Sequence, residues 1–264
     1  MRQRSRTEGR RLPGRGVCVA VIDSGVHAAH PHVRGVAGGV AIQPGGAVSG
    51  DYTDRIGHGT AVMAAIKEKA PFADCYAVRI FDNRLSASAP TLIAAIDWAV
   101  AARVHVINLS LGTANLAHAD AFDGAVARAA AAGVTIVAAR DDEGVEWLPG
   151  SRPGVVGVRA DWTCGRDVFT VERLDSGSVV FRTSGYARPI PGVDPRRNLH
   201  GVSFAVANMT GFLARALSLE PDGQAADAVE TLVRFASWRD GRAHEKEKAG
   251  RWEHLPASMV LRER

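Results

Sequence analysis

Aromatic side chains are scarce in this chain of 264 residues, at 6%. That scarcity favours close helix–sheet packing through its many Ala and Gly over a large aromatic binding face. Cysteines are few and odd in number, Cys18, Cys75 and Cys164, and their separations match no metal-ligand spacing. Cys18 and Cys75 fall inside apolar strand patterns, where a thiol is most simply a small buried hydrophobe. A reducing, cytoplasmic location is therefore expected. No apolar h-region follows the basic N-terminus, so no secretory signal is expected. Arg10-Arg11 begins like a twin-arginine signal, but Leu12-Pro13-Gly14 does not continue as one. No apolar stretch is long and breaker-free enough to cross a bilayer, so no membrane partner is expected. The first strand is not followed by Gly-x-Gly-x-x-Gly, which argues against a Rossmann-type nucleotide binder. There is no internal repeat.

What is present suits one large domain. Hydrophobic residues make up 46% of the chain, enough for a full core. The net charge is +4. Its excess sits at the start, in Arg2, Arg4, Arg6, Arg10, Arg11 and Arg15. Residues 1–15 read as a solvated basic arm; contact with an acidic partner or nucleic acid is the lesser reading, and no nucleic-acid partner is expected. Residues 16–236 read as the folded domain and 237–264 as a charged tail or edge-covering segment.

Gly16 to Ile22 is a continuous β-branched run, as in a strand buried on both faces. It ends at Asp23-Ser24-Gly25. Residues 27–50 look like loop. His27, His30 and His32 match no strong ligand motif and read as surface histidines. Further strands are expected at Cys75–Phe81, Val104–Gly112, Val134–Ala139 and Val155–Val158, and helices at Thr91–Ala102, Ala119–Ala132 and from Pro221 to about Ala236. A helix also opens at Gly57-His58-Gly59-Thr60. From 161 to 200 the pattern loosens into hairpin-like stretches and Gly/Pro-rich loops. Strands alternating with helices predict an α/β fold: a three-layer, doubly wound, mainly parallel sheet with helices on both faces. After Gly201-Val202-Ser203 a nearly all-apolar run from Phe204 to Leu219 reads as a helix buried on every side.

Three residues, each with an ordinary reading, suggest one site. Asp23 lies at the carboxyl end of a parallel strand, where α/β sheets place ligands, yet an Asp there also caps turns. His58 between two glycines opens a helix, where a lone His is most often structural. Ser203 opens the buried helix and reads equally well as its N-cap. Taken together they supply a nucleophile, a base to take its proton and a carboxylate to fix the base's tautomer.

Their order, Asp, His, Ser, is that of subtilisin, and the surrounding segments resemble the subtilisin-like serine proteases. Val19-Ala20-Val21-Ile22-Asp23-Ser24-Gly25 resembles the family's aspartate motif, Gly57-His58-Gly59-Thr60 its histidine motif and Gly201-Val202-Ser203-Phe204-Ala205 its serine motif. Ala70-Pro71 through Arg79 and Val106 through Gly112 resemble family segments in the same order, so the likeness covers roughly residues 16–236. The resemblance implies that Asp23, His58 and Ser203 form a catalytic triad. It implies that Ser110-Leu111-Gly112 pairs with an extended peptide or protein substrate, with Ala139, Arg140 and Asp141 on the facing wall. Asp142 and the Ser203 backbone would hold the oxyanion. Arg140 and Asp141 hint at a charged or polar preference.

The departures carry expectations too. Asp142 stands where the family has an Asn that donates to the oxyanion; an ionised Asp cannot donate. Loss of such a donor costs about 10²–10³ in turnover, a magnitude that comes from subtilisin itself. Val202 replaces a Thr, and Ala207 a Pro. His32 replaces a frequent calcium-ligand Asp, and the loop at Lys67-Glu68-Lys69-Ala70 looks shortened, so neither a metal nor a cofactor is expected. The first strand begins too early for the usual prodomain. These features suggest a cytoplasmic processing endopeptidase, for example one that removes leader peptides. The alternatives are a weak or inactive peptide-binding member that partners an active enzyme, and a ligase or cyclase using the same triad. The sequence leaves a partner protein and a homo-oligomer equally open.

Overall fold

The computed structural model describes residues 12–142, 144–219 and 225–240; the side chains of Asp142, residues 225–226 and residues 237–240 lie outside that description. The strands in chain order are β1 (Cys18–Asp23), β2 (Gly38–Ile42), β3 (Val48–Ser49), β4 (Asp74–Arg79), β5 (Val106–Leu109), β6 (Thr135–Ala139), β7 (Asp141–Asp142), β8 (Val145–Glu146), β9 (Val156–Ala160), β10 (Phe169–Arg173) and β11 (Val179–Thr183). The helices are α1 (His58–Lys69), α2 (Ala89–Ala101), α3 (Ala119–Ala131), α4 (Val202–Leu217) and α5 (Ala225–Asp240).

Nine strands form one sheet in the order β10-β11-β9-β6-β5-β1-β4-β2-β3. All neighbours from β11 to β2 run parallel, and an antiparallel strand closes each end, β10 on β11 and β3 on β2. Strand β1 lies at the middle and shows why a continuous apolar run was needed. Successive side chains point to opposite faces. Val19 and Val21 enter the core shared with α1, α4 and α5, whereas Ala20 and Ile22 enter the core shared with α2 and α3. Each buried Val or Ile contributes about 1.5–3 kcal/mol. The same alternation turns Asp23 toward the α1 and α4 side.

Helix α4 is the innermost. Every residue from Val202 to Leu217 is buried except Ser203 and Arg215. It packs on α1, α5 and four strands of the sheet. Its buried polar residues bond to the sheet side: Thr210 Oγ1 donates to Asn108 Oδ1 at 2.9 Å, Asn108 Nδ2 donates to Ser110 Oγ at 2.8 Å, and Asn208 Nδ2 donates to the Ser184 carbonyl at 2.8 Å.

Several expectations are adjusted. Residues 27–50 are not all loop: β2 pairs with β4, and β3 with β2. The stretch read as an arm is described only from residue 12. There Pro13 and Gly14 are buried, and the Gly14 amide donates to Ser218 Oγ at 3.0 Å. Cys75 and Cys164 are buried free thiols, but Cys18 is only half-buried. Burial raises the pKa of both Cys75 and Cys164 to about 12. Helix α5 runs past the expected boundary at 236 to Asp240, and the tail from 241 on lies outside the described residues. Among the described residues no helix is long and apolar enough to cross a membrane.

Candidate active site

Asp23 ends β1 with its side chain 1% exposed. Its Oδ1 accepts from the Ser24 amide at 2.7 Å and meets His58 Nδ1 at 2.7 Å. Both readings of this residue therefore hold: it fixes the turn and grips an imidazole. A carboxylate on Nδ1 places the ring proton there and leaves Nε2 as the acceptor.

His58 is the first residue of α1, after Gly57 in the left-handed region at φ 90°. The next residue has to be glycine. A Cβ on Gly59 would lie 2.2 Å from the Gly25 carbonyl oxygen and 3.2 Å from Asp23. Only a bare Cα lets the first turn of α1 close on the turn after β1.

A second carboxylate, which the sequence reading missed, secures this closure. Asp54 is buried, and its Oδ1 accepts from the Ile56 and Gly57 amides at 3.0 and 2.8 Å. Its Oδ2 accepts from the amide and hydroxyl of Thr60 at 2.9 and 2.6 Å. Ser24 Oγ donates to Asp54 Oδ1 at 2.9 Å and accepts from the Gly59 amide at 2.9 Å. Asp54 thus does the capping that Gly57 cannot. Burial works against its charge, but these hydrogen bonds outweigh it and hold its pKa below the ordinary value. The available signal was an acid shortly before a helix that lacks its own cap.

For His58, burial opposes the charged ring. The Asp23 hydrogen bond, the Asp23 charge and the Asp54 charge overcome that and raise its pKa.

Ser203 arrives on the first turn of α4. The cap position is Gly201, which makes no side-chain capping bond, so Ser203 is not the N-cap. Its hydroxyl donates to the Ser110 carbonyl oxygen at 3.2 Å. The Phe204 ring packs against the His58 ring at 5.6 Å between centroids, which brings the imidazole beside the start of α4. The structure therefore gathers Asp23, His58, Ser203 and Ser110 in one place. Among the described residues the Ser203 hydroxyl is bonded to Ser110 and not to the imidazole.

Strands β5 and β6 are neighbours up to Leu109 and Ala138. Beyond that point Ser110-Leu111-Gly112 and Ala139-Arg140-Asp141 continue as two walls. The charges on the second wall are engaged within the chain. Asp141 Oδ1 and Oδ2 both accept from Arg159 Nε at 2.9 Å, and Arg159 also binds Glu172 at 2.7 Å. Arg140 Nη2 donates to Glu146 at 2.8 Å. These bonds direct both side chains to intramolecular partners. Asp142 pairs through its backbone with β8, and its side chain, the expected oxyanion contact, lies outside the described residues.

His30 is exposed and His32 half-buried, and their rings meet edge to face at 5.3 Å. Among the described residues no three His, Cys, Asp or Glu side chains are grouped so as to hold a metal ion. After α1, the ammonium of Lys67 donates to the Ala73 carbonyl at 2.5 Å. A cation already on that oxygen does not fit a hard divalent ion.

The profile of the Subtilase family matches residues 14–251. The chain belongs to the subtilase family. It is 36% identical over 160 residues to a thermostable alkaline protease of Halalkalibacterium halodurans, covering 56% of this chain and 42% of that protein. It is 29% identical over 244 residues to subtilisin E of Bacillus subtilis, covering 84% of this chain and 61% of that protein. A subtilisin of Bacillus pumilus is 29% identical over 244 residues, covering 84% of this chain and 85% of the relative. The chain thus spans 42% and 61% of the first two relatives' lengths. The nine-stranded, mainly parallel sheet between helices on both faces is the fold that this membership implies.

Proposed function

We propose that this subtilase is a serine endopeptidase acting on extended peptides. The observation that carries the reading is the 2.7 Å contact of His58 Nδ1 with the buried Asp23 carboxylate, set beside the first turn of the helix that bears Ser203.

In this reading Ser203 Oγ attacks the scissile carbonyl carbon and its proton passes to His58 Nε2. Asp23 holds the Nδ1–H and stabilises the imidazolium that forms. The tetrahedral oxyanion develops near the Ser203 amide. That amide belongs to the first turn of α4, where a helix has no carbonyl one turn back to receive it and where the dipole favours negative charge. Collapse breaks the C–N bond, and His58 returns the proton to the leaving amine. Water then attacks the acyl-enzyme ester by the same proton route and releases the acid. Asp23→Asn should lower turnover by about 10⁴, through loss of the correct tautomer.

A second reading is a weakly active or inactive peptide-binding member. It is favoured by the Ser203 hydroxyl turning to Ser110, and by Asp142 in the expected oxyanion position. A fluorophosphonate probe separates the two: labelling of wild type and not of Ser203→Ala supports the enzyme, and no labelling of native protein rejects it. An intracellular processing role is the narrower part of the proposal. It is supported by three free thiols, as in a reducing compartment. Finding the protein outside the producing cells on fractionation would remove that part.

A further inference from the structure

The two walls beside Ser203 do not enclose an open slot. A third segment, Trp147-Leu148, lies between them and bonds to both. The Trp147 amide donates to the Arg140 carbonyl at 2.8 Å on one side. On the other, Leu148 and Thr113 exchange both backbone hydrogen bonds, at 2.8 and 3.0 Å. Neighbouring residues of such an extended segment point to opposite sides. Leu148 is 1% exposed and belongs to the core with α2 and α3. Trp147 is therefore turned the other way, to the open side, where it is half-buried.

Its position there is fixed by Gly112. A Cβ built on Gly112 would lie 3.2 Å from Trp147 Cβ, 3.3 Å from its Cε3 and 2.5 Å from the Leu148 carbonyl oxygen. The indole thus lies on the bare face of Gly112, two residues along the chain from Ser110, whose carbonyl receives the Ser203 hydroxyl.

A peptide attacked by Ser203 and laid along Ser110-Leu111-Gly112 carries, one bond from the reacting carbon, the side chain of the residue on the acyl side. In that pose the side chain would enter the gap between the walls, beside Gly112, where the indole already lies. The geometry points to Trp147 as the specificity-determining residue that restricts the acyl-side position to Gly, Ala or Ser. This inference rests on the proposed endopeptidase reading and names its substrate class. It also accounts for the walls' charges: Arg140 and Asp141 are paired within the chain, so steric exclusion rather than charge selects the residue.

The test uses peptidyl diphenyl phosphonates, which phosphonylate a reactive serine without needing turnover, with either Ala or Phe at the acyl-side position. A small alkyl fluorophosphonate that carries no such side chain reports Ser203 reactivity separately. Wild type should react with the Ala probe at least about tenfold faster than with the Phe probe, a modest pocket discrimination. Trp147→Gly should bring the Phe probe up to or above the Ala probe, and Trp147→Leu should fall between. If the small probe labels Ser203 but wild type accepts Phe as well as Ala, or accepts neither, the inference is overturned. The same holds if Trp147→Gly and Trp147→Leu both leave the ratio unchanged while the small probe still labels them. If the small probe fails on wild type, the endopeptidase reading falls instead.

Discussion

The Ser203 hydroxyl rests on the backbone carbonyl of Ser110, a residue 93 positions away in sequence, at 3.2 Å. That hydroxyl must turn from the wall to the imidazole before it can attack. The bond given up is a neutral one, worth about 0.5–1.5 kcal/mol. Its loss is small beside the stabilisation that an oxyanion requires, so the rate should depend more on the residue at 142 than on where the hydroxyl rests.

Asp142→Asn should therefore raise turnover on a good substrate. The amide supplies a donor where an ionised carboxylate supplies charge of the wrong sign, and one such donor is worth about 10²–10³. Steady-state kinetics on wild type and variant, corrected for the fraction titrated by a fluorophosphonate, check this. A sharp fall would mean that Asp142 has a role of its own.

Among the described contacts Asp54 bonds neither Ser203 nor the His58 ring, yet its charge should contribute, after Asp23, to the position of the acid limb of the pH–rate profile. Its charge is one of the influences that raise the His58 pKa. Activity needs neutral His58, so it rises with pH through that raised value. Asp54→Asn keeps an oxygen for the Ile56 and Gly57 amides and removes the charge. The limb should then move to lower pH. An unmoved limb, or one moved upward, would count against the coupling. Asp54→Ala should in addition lose about 0.5–2 kcal/mol of stability, the usual value of a helix cap.

Lys69 offers a pH test unconnected with catalysis. It is 6% exposed, pairs with Glu68 at 2.8 Å and lies 5.5 Å from the Phe212 ring centre. Burial lowers its pKa to about 8 from 10.5, against the pull of Glu68. Between those values the unfolded chain holds more protons than the folded one, so this residue makes stability rise with pH. The shift is worth at most about 3 kcal/mol. The stability of wild type relative to Lys69→Met should increase from pH 8 to 10.5 in urea titrations. A difference that stays flat or declines would refute the assignment.

Gly150 is a position where one carbon should matter. A Cβ there would lie 1.8 Å from the Ala139 carbonyl oxygen and 2.4 Å from its carbon. Backbone cannot rotate away as a side chain can, so the second wall must shift. Gly150→Ala should cost about 1–3 kcal/mol, measured by urea denaturation. It should also slow labelling of Ser203 by peptidyl phosphonates more than labelling by the small probe. A variant as stable as wild type would mean that the wall gives way freely.

The central strands and the buried helix were legible in the sequence because each shows one strong pattern. Cys18 to Ile22 is apolar on both faces, and Phe204 to Leu217 is nearly all apolar. The start of α2 is also written locally: Ser88 Oγ accepts the Thr91 amide as its N-cap, and Pro90 suits the first turn. The edge was not legible. Strand β2 is Gly-Gly-Val-Ala-Ile, only partly buried and without alternation, and depends on β4 for its pairing. In the site, Asp23, His58 and Ser203 could be read because order and flanking residues constrained them together. Asp54 was missed: its partners are mostly backbone amides, and its one sequence signal was its place just before a helix without its own cap. Trp147 was invisible for a related reason: its place depends on how far β5 and β6 separate, which neither strand's residues encode alone.

Helix α4 is surrounded by α1, α5 and the sheet, while the Asp23–His58 pair is built from β1 and α1 near the start of the chain. Synthesis therefore delivers the acid and the base long before the hydroxyl. The helix bearing Ser203 can take its place only once the strands around it have been made. On the proposed reading, a chain still emerging holds a proton acceptor with nothing to activate. Neither it nor its neighbours are at risk of being cut until the last large piece of the core has docked.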